Sequence, residues 1–209
     1  MTKIDFTLYL ITDRQQVPGG DLPRAVACAL AGGVRAVQLR EKDLLPRDLY
    51  LLARELRTLT HRFGARLLIN DRIDVALATE ADGVHLGGGS LPVAAARRLL
   101  GPARLIGVSA HRLEEVDQAA RDGADFVTFG PVWFTPSKAA YGAPVGLDAL
   151  RQACTASPLP VFALGGVNVG RIPELLAAGA AGAACISALL AATDPRGSAA
   201  DFLQRLENK

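Results

Sequence analysis

Short apolar runs recur eight times along the chain, and each is followed by a stretch with helical spacing. The runs lie at residues 6–12, 34–39, 66–69, 84–86, 104–108, 125–129, 160–164 and 181–186. The helical stretches lie at 21–31, 44–61, 73–78, 92–100, 113–121, 147–154, 169–178 and from 194 onward. A run that is apolar throughout needs cover on both faces, as a parallel strand has between helices. Strict alternation of eight strand–helix units in 209 residues predicts a single-domain (β/α)8 TIM barrel over residues 1–209. An open doubly wound sheet is the competing arrangement. It calls for a dinucleotide fingerprint, and Gly87-Gly88-Gly89-Ser90 is out of phase with Gly-x-Gly-x-x-Gly. Phrases such as Ala81-Asp82-Gly83 and Gly123-Ala124-Asp125 recur before strands and mark the helix-to-strand turns.

Composition removes several classes of partner. Half the residues (50%) are hydrophobic and 21% are charged, a balance that folds. Net charge is only +2 and aromatics are 5%, with no basic stripe or stacking platform, so no nucleic-acid partner is expected. Gly, Asp or Arg interrupts each apolar run before it reaches membrane-spanning length, and the N-terminus has no long apolar leader, so no membrane association is expected. Cys28, Cys154 and Cys185 are far apart and sit in apolar patterns. They read as three buried free thiols, which points to a reducing, cytoplasmic compartment. An apolar helical stripe beyond what barrel packing uses would support a homodimer.

A barrel carries its site at the C-terminal strand ends, and that placement selects the candidates. Gln38, Arg40 and Lys42 alternate to one side at the end of the second strand. Polar groups pointing into a barrel mouth require a ligand or a core salt bridge. Asn70 and Asp71 end the third strand; Asp71 is a hard oxygen donor for Mg²⁺ or, alternatively, a helix cap. Asp13 lies on the same rim and reads as structural. His85 is the odd residue of an apolar strand, either a satisfied core group or part of the site, and Ser109 and His111 follow the fifth strand. Gly165-Gly166 and Ser187 end strands seven and eight, where backbone N–H groups can gather on a phosphate. In the loop after strand six, Thr135 and Ser137 offer hydroxyls. Lys138 suits a phosphate oxygen, a solvated loop tip being its alternative. Trp133 would stack on a flat ring or anchor the loop. Anion-binding groups on several strand ends, one candidate Mg²⁺ ligand and no nucleophile–base pair suggest diphosphate chemistry.

These residues resemble the thiamine-phosphate synthase family, which includes the TenI-like thiazole tautomerases. The resemblance spans nearly the whole chain. It rests on Val37-Gln-Leu-Arg-Glu-Lys42, Ile69-Asn-Asp71, Ala81-Asp-Gly-Val-His-Leu-Gly87, Ile106-Gly-Val-Ser-Ala-His111, Gly130-Pro-Val-x-x-Thr-x-x-Lys138, Gly165-Gly166 and Ile186-Ser-Ala188. It implies a barrel that joins a pyrimidine diphosphate to a thiazole phosphate with Mg²⁺, through departure of diphosphate and attack by the thiazole nitrogen. Carried over by motif, Gln38, Arg40 and Lys42 would contact the pyrimidine and its diphosphate, and Asn70 and His85 the pyrimidine. Asp71 would hold the metal, and Ser109 and Lys138 would face the diphosphate. Thr135 would lie near the thiazole, and Gly166 with Ser187 would hold its phosphate. One stretch departs from the synthase pattern Gly-Gln-x-Asp: Gly88 and Ser90 stand where Gln and a second metal-binding Asp are expected. The TenI-like branch is the alternative, as is a non-catalytic thiazole phosphate-binding regulatory protein. The pocket His of that branch would match Pro131.

Overall fold

A computed structural model of the chain describes residues 4–135 and 143–207. In chain order the elements are β1 (Leu8–Ile11), α1 (Leu22–Ala31), β2 (Ala36–Leu39), α2 (Pro46–Arg62), β3 (Arg66–Asn70), α3 (Ile73–Ala78), β4 (Gly83–Leu86) and α4 (Val93–Leu100). There follow β5 (Leu105–Ala110), α5 (Leu113–Arg121), β6 (Phe126–Phe129), α6 (Gly146–Ala156), β7 (Val161–Leu164), α7 (Ile172–Ala177), β8 (Gly182–Cys185), α8 (Ser187–Leu190) and α9 (Pro195–Glu207). The strands are all parallel and pair in sequence order, and β8 returns to β1 through Leu8↔Ala183 and Leu10↔Cys185. The expected TIM barrel is therefore the observed fold.

Alternation divides the apolar side chains into two cores. One lies between strands and helices and takes residues such as Leu8, Leu10, Val37, Leu39, Leu67 and Ile69. The other fills the barrel with Phe6, Tyr9, Ile11, Ala36, Leu68, Leu105, Phe126, Phe162 and Ala184. Phe126 meets Tyr9 edge-on at 5.4 Å and 85° between planes, and meets Phe6 at 5.6 Å and 88°. Glycine makes this filling possible. A Cβ on Gly107 would sit 2.4 Å from the Phe126 ring and 2.5 Å from His85 Nδ1.

The repeated Asp before a strand has a defined task. Asp82 Oδ2 accepts the Leu67 N–H at 2.8 Å and pairs with Arg57 at 3.0 Å. Asp125 Oδ2 accepts the Ile106 N–H at 2.7 Å and pairs with Arg97 at 2.6 Å. Each carboxylate satisfies an N–H at the start of the preceding strand, at the end away from the site.

Local differences from the sequence reading have local causes. Asp21 caps α1 through the Arg24 N–H. Helix α2 begins at Pro46, which suits a first-turn position, and not at residue 44. Ser90 does not cap α4. Its Oγ accepts the Gly87 N–H at 2.8 Å, and the cap position is Pro92. Nor does Asp71 cap α3, whose cap position is Arg72. The 169–178 stretch divides into a 3-10 turn, Val169–Arg171, and α7, because Asn168 caps the turn through the Arg171 N–H. Helix α8, directly after β8, was not expected. Of the thiols, only Cys185 is fully buried; Cys28 and Cys154 are half-buried.

Candidate active site

The C-terminal half of the barrel interior changes from apolar to polar within one residue layer. Tyr9 of β1, whose ring belongs to the aromatic filling, and Gln38 of β2, His85 of β4 and Thr128 of β6 are all buried and joined by hydrogen bonds. Gln38 Nε2 donates to the Tyr9 hydroxyl at 3.2 Å. That hydroxyl lies 3.4 Å from His85 Nδ1. His85 Nε2 lies 3.0 Å from Ser109 Oγ and 3.3 Å from Thr128 Oγ1. Burial, followed by the positive charge of Arg40, pushes the His85 pKa down to about 3. Burial likewise pushes the Tyr9 phenol up. At neutral pH both are uncharged, and the imidazole works as a fixed hydrogen-bond bridge to Ser109. His85 is thus a satisfied core residue, with its Nε2 on the half-buried Ser109 hydroxyl.

Arg40 lies just past the end of β2, half-buried, with its N–H held by Thr12 Oγ1 at 2.8 Å. Its neighbour Glu41 turns inward and is buried. Glu41 accepts the Arg14 N–H at 3.1 and 3.2 Å and the Arg14 guanidinium at 3.1 Å. Arg14 also grips Asp43 at 2.6 and 2.7 Å, which holds the Asp43 carboxyl down at about 2. Glu41 is thus pinned between Arg40 and Lys42 by the loop after β1. Gln38 is buried, Arg40 half-buried and Lys42 exposed, so the three candidates sit at successively higher levels of the rim. Asp13 caps the turn Arg14–Gln16, as its structural reading expected.

Asn70 ends β3 half-buried, and its carbonyl accepts the Arg72 N–H at 2.7 Å. Asp71 follows in the left-handed region at φ 65°, with its own N–H on the His85 carbonyl at 2.9 Å. Asp is among the few side chains that tolerate this conformation. Its carboxylate is exposed and accepts no hydrogen bond from the described residues, while Arg72 is occupied by Asp74 at 2.5 and 2.9 Å. No group of three or more His, Cys, Asp or Glu gathers to hold a metal among the described residues. His111 bonds through Nδ1 to the Gly130 carbonyl, and its N–H goes to Glu115 at 2.7 Å.

The loop after β6 lies against the glycine pair after β7. Val132 N–H donates to the Leu164 carbonyl at 2.9 Å and Trp133 N–H to the Gly165 carbonyl at 3.1 Å. Gly165 and Gly166 both have positive φ, 95° and 67°. A Cβ on Gly165 would meet Pro131 at 2.5 Å, and one on Gly166 would meet the Trp133 Cβ at 2.7 Å. The β7–β8 register pairs Leu164 with Ala184, so Gly165-Gly166 leaves the barrel beside Cys185-Ile186. Ser187 opens α8 there, exposed. Thr135 is half-buried on the same loop. Ser137 and Lys138 lie outside the described residues.

The fold therefore brings Gln38, Arg40, Asn70, Asp71, His85, Ser109, Gly165, Gly166 and Ser187 to the same end of one barrel. Sequence reasoning passed over Tyr9, Thr12, Glu41, Thr128 and Arg171. Tyr9 and Thr128 carried a usable signal, since each is a polar-tipped residue at an inward parity of an apolar strand. Arg171 carried none, because a basic residue just before a helix reads as solvated surface.

The thiamine monophosphate synthase family profile matches residues 8–189. A Geobacter sulfurreducens protein provisionally named thiamine-phosphate synthase is 61% identical over 206 residues, covering 99% of this chain and 97% of that protein. The thiamine-phosphate synthase of Chloroflexus aurantiacus is 46% identical over 191 residues, covering 91% and 88% respectively. The solved structure of thiamine phosphate pyrophosphorylase from Pyrococcus furiosus superposes with a TM-score of 0.88 at 37% identity, covering 97% of this chain and 96% of that one. A 3-hexulose-6-phosphate synthase structure, at 20% identity and TM-score 0.68, shares the fold.

Proposed function

The chain belongs to the thiamine monophosphate synthase family, and we propose that it joins hydroxymethylpyrimidine diphosphate to hydroxyethylthiazole phosphate, releasing thiamine phosphate and diphosphate. The observation that carries this reading is the polar layer at the mouth. Ser109 is held 3.0 Å from a neutral His85, beside the cationic Arg40, and the paired glycines leave the barrel at the same end.

The bond between the pyrimidine methylene and the diphosphate oxygen breaks, and its electron pair leaves with the diphosphate. The thiazole nitrogen then uses its lone pair to form the new carbon–nitrogen bond. Charge develops on the leaving oxygens, so fixed donors and cations aimed there lower the barrier. Arg40 and Ser109 are assigned that task, and Lys138 joins them by motif. Gln38, Asn70 and His85 hold the pyrimidine with no change of charge, and Lys42 meets the outer diphosphate oxygens. By motif Thr135 lies near the thiazole, and Ser137 offers a further hydroxyl for substrate binding. The N–H groups after Gly165 and Gly166, with Ser187, take its phosphate.

Mg²⁺ commonly uses one or two carboxylates plus substrate phosphates and water. The unshared, exposed carboxylate of Asp71 fits an ion that arrives on the diphosphate. Ser90 is engaged with the Gly87 N–H at 2.8 Å, so Asp71 is assigned as the protein's anchoring ligand. When bound, the ion supplies neutralisation of the departing diphosphate.

A cytoplasmic location is consistent with free thiols at Cys28, Cys154 and Cys185. Among the described residues no helix is long and apolar enough to cross a membrane. Exposed Leu51 on α2, Leu77 on α3 and Leu99 on α4 are apolar side chains that a homodimer would cover. The alternative tautomerase activity requires a proton-moving group with a pKa near the working pH. His85 at about 3 does not supply one.

The deciding assay mixes both substrates with Mg²⁺ and follows diphosphate and thiamine phosphate together. Equal formation of the two is expected. Thiazole phosphate binding without diphosphate release would overturn the synthase reading and leave the non-catalytic binding protein. Proton exchange on the thiazole carboxylate tautomer would establish the tautomerase.

A further inference from the structure

We infer that Arg171 is a positioning residue that sets the phosphate-binding face of the Gly165–Gly166 turn by locking it to Trp133. The inference rests on the reading of that turn as the thiazole phosphate site. Three contacts form a closed ring, and Asn168 anchors it. Arg171 Nη1 donates to the Gly166 carbonyl. The Arg171 guanidinium carbon lies over the Trp133 ring, 5.0 Å from its centroid. The Trp133 N–H donates to the Gly165 carbonyl at 3.1 Å. Finally, Asn168 holds the Arg171 N–H through its side chain at 3.2 Å and its carbonyl at 3.0 Å.

The consequence follows from peptide planarity. In a trans peptide the N–H of one residue points opposite to the carbonyl before it. The carbonyls of Gly165 and Gly166 are committed to Trp133 and Arg171. The N–H groups of Gly166 and Val167 are therefore directed away from both residues, and neither donates to a backbone or side-chain acceptor among the described residues. Two successive free N–H groups in this conformation make an anion-binding concavity. Without Arg171, the Gly166–Val167 peptide loses the contact that fixes its rotation, and glycine at φ 67° resists rotation less than any other residue. Trp133 cannot substitute for the lost contact, since it reaches only the Gly165 carbonyl. Of the two sequence-level roles for Trp133, anchoring of the loop is the one that this ring of contacts requires.

The chain contains one tryptophan, so its fluorescence reports on this ring alone. The variants are Arg171→Met, which keeps length but loses charge and donors, and Arg171→Lys, which keeps the charge. Each is titrated with inorganic phosphate and with thiazole phosphate while tryptophan emission is followed, and both substrates' KM values and kcat are measured. In Arg171→Met, the thiazole phosphate KM and the inorganic phosphate dissociation constant are expected to rise roughly tenfold or more, the scale of one lost charged hydrogen bond. The pyrimidine diphosphate KM moves much less. The emission change on phosphate binding shrinks, and Arg171→Lys recovers part of both effects. An unchanged phosphate affinity and emission response in Arg171→Met would overturn the inference. So would an equal loss for both substrates, which would mark Arg171 as merely structural. A wild-type protein that releases diphosphate but binds no phosphate at this turn would overturn it while leaving the synthase reading standing. A wild-type protein that binds phosphate at this turn, with that affinity lost in Arg171→Met, but makes no thiamine phosphate would do the reverse.

Discussion

His85 is an imidazole removed from water, and its position fixes how it responds to acid. Its folded pKa, pushed down to about 3, lies below its unfolded value near 6.5. The unfolded chain therefore binds the additional proton between those values, and stability falls as pH drops through that window. Well above pH 6.5 this contribution is constant. From about pH 6.5 to pH 5 the cost is about 2 kcal/mol. Urea unfolding at pH 7 and pH 5 should show it, and His85→Gln should remove that part of the slope. If both proteins lose stability equally, His85 is not the responsible group. The same depressed pKa predicts that no limb of the kcat/KM profile between pH 5 and 8 belongs to His85. The identity of this residue as unusual was legible in a Val-His-Leu strand. Its neutrality was not, because burial and the charge of Arg40 come from other strands.

At the scale of elements, the loops leaving the strands are joined laterally in pairs. The loop after β1 holds the loop after β2 through Arg14 and Glu41. Glu41→Ala leaves the Arg14 N–H and guanidinium short of a partner, though Arg14 is 32% exposed and keeps access to water. The expected loss is about 1–3 kcal/mol in denaturant unfolding. The pyrimidine diphosphate KM should rise, because Arg40 and Lys42 flank the released residue; an unchanged KM would show that Glu41 does not orient them. On β5, Gly107→Ala places a methyl 2.4 Å from the Phe126 ring and 2.5 Å from His85 Nδ1. The packed interior has no room for it, so about 1–3 kcal/mol of destabilisation is expected, together with reduced turnover as His85 shifts from Ser109. At the end of β3, Asp71→Asn should raise the Mg²⁺ concentration for half-maximal rate by roughly tenfold, and chelation should stop diphosphate release in both proteins. Equal metal titration curves would remove Asp71 from the metal site. The strands themselves were visible as apolar runs with ends placed to within a few residues. The lateral joints were not, since Arg14 and Glu41 are ordinary charged residues until β1 and β2 stand side by side.

Across the whole molecule, closure is the decisive event. Strand β8 pairs with β1, and α9 at the far end of the chain lies against α1 near its start. Gly32 sits at that seam with φ −80°, an angle any residue adopts, so substitution there tests packing alone. A Cβ would fall 2.3 Å from the Arg196 carbonyl and 2.8 Å from the Ala199 Cβ. Gly32→Ala should therefore lower stability by about 1–3 kcal/mol through separation of α1 from α9, read as a lower Tm with the site chemistry intact. A Tm equal to that of the parent would show that the seam yields without cost.

Local chemistry by itself determined the number and order of the strands. An apolar run between two helical patterns has one stable surrounding, and eight of them in alternation close on themselves. It also determined which strand ends carry polar groups, because those residues are costly anywhere else. Only the tertiary structure decided how these groups act. It made His85 neutral, turned Glu41 inward to Arg14, and used the Ser90 hydroxyl for the Gly87 N–H. It also set Trp133 and Arg171 against the glycine turn. Apart from the Ser90–Gly87 contact, which closes within one loop, each of these outcomes depends on a partner supplied by a different strand or loop. Charge, tautomer and peptide orientation are properties of such juxtapositions, and no stretch of chain possesses them before the barrel closes.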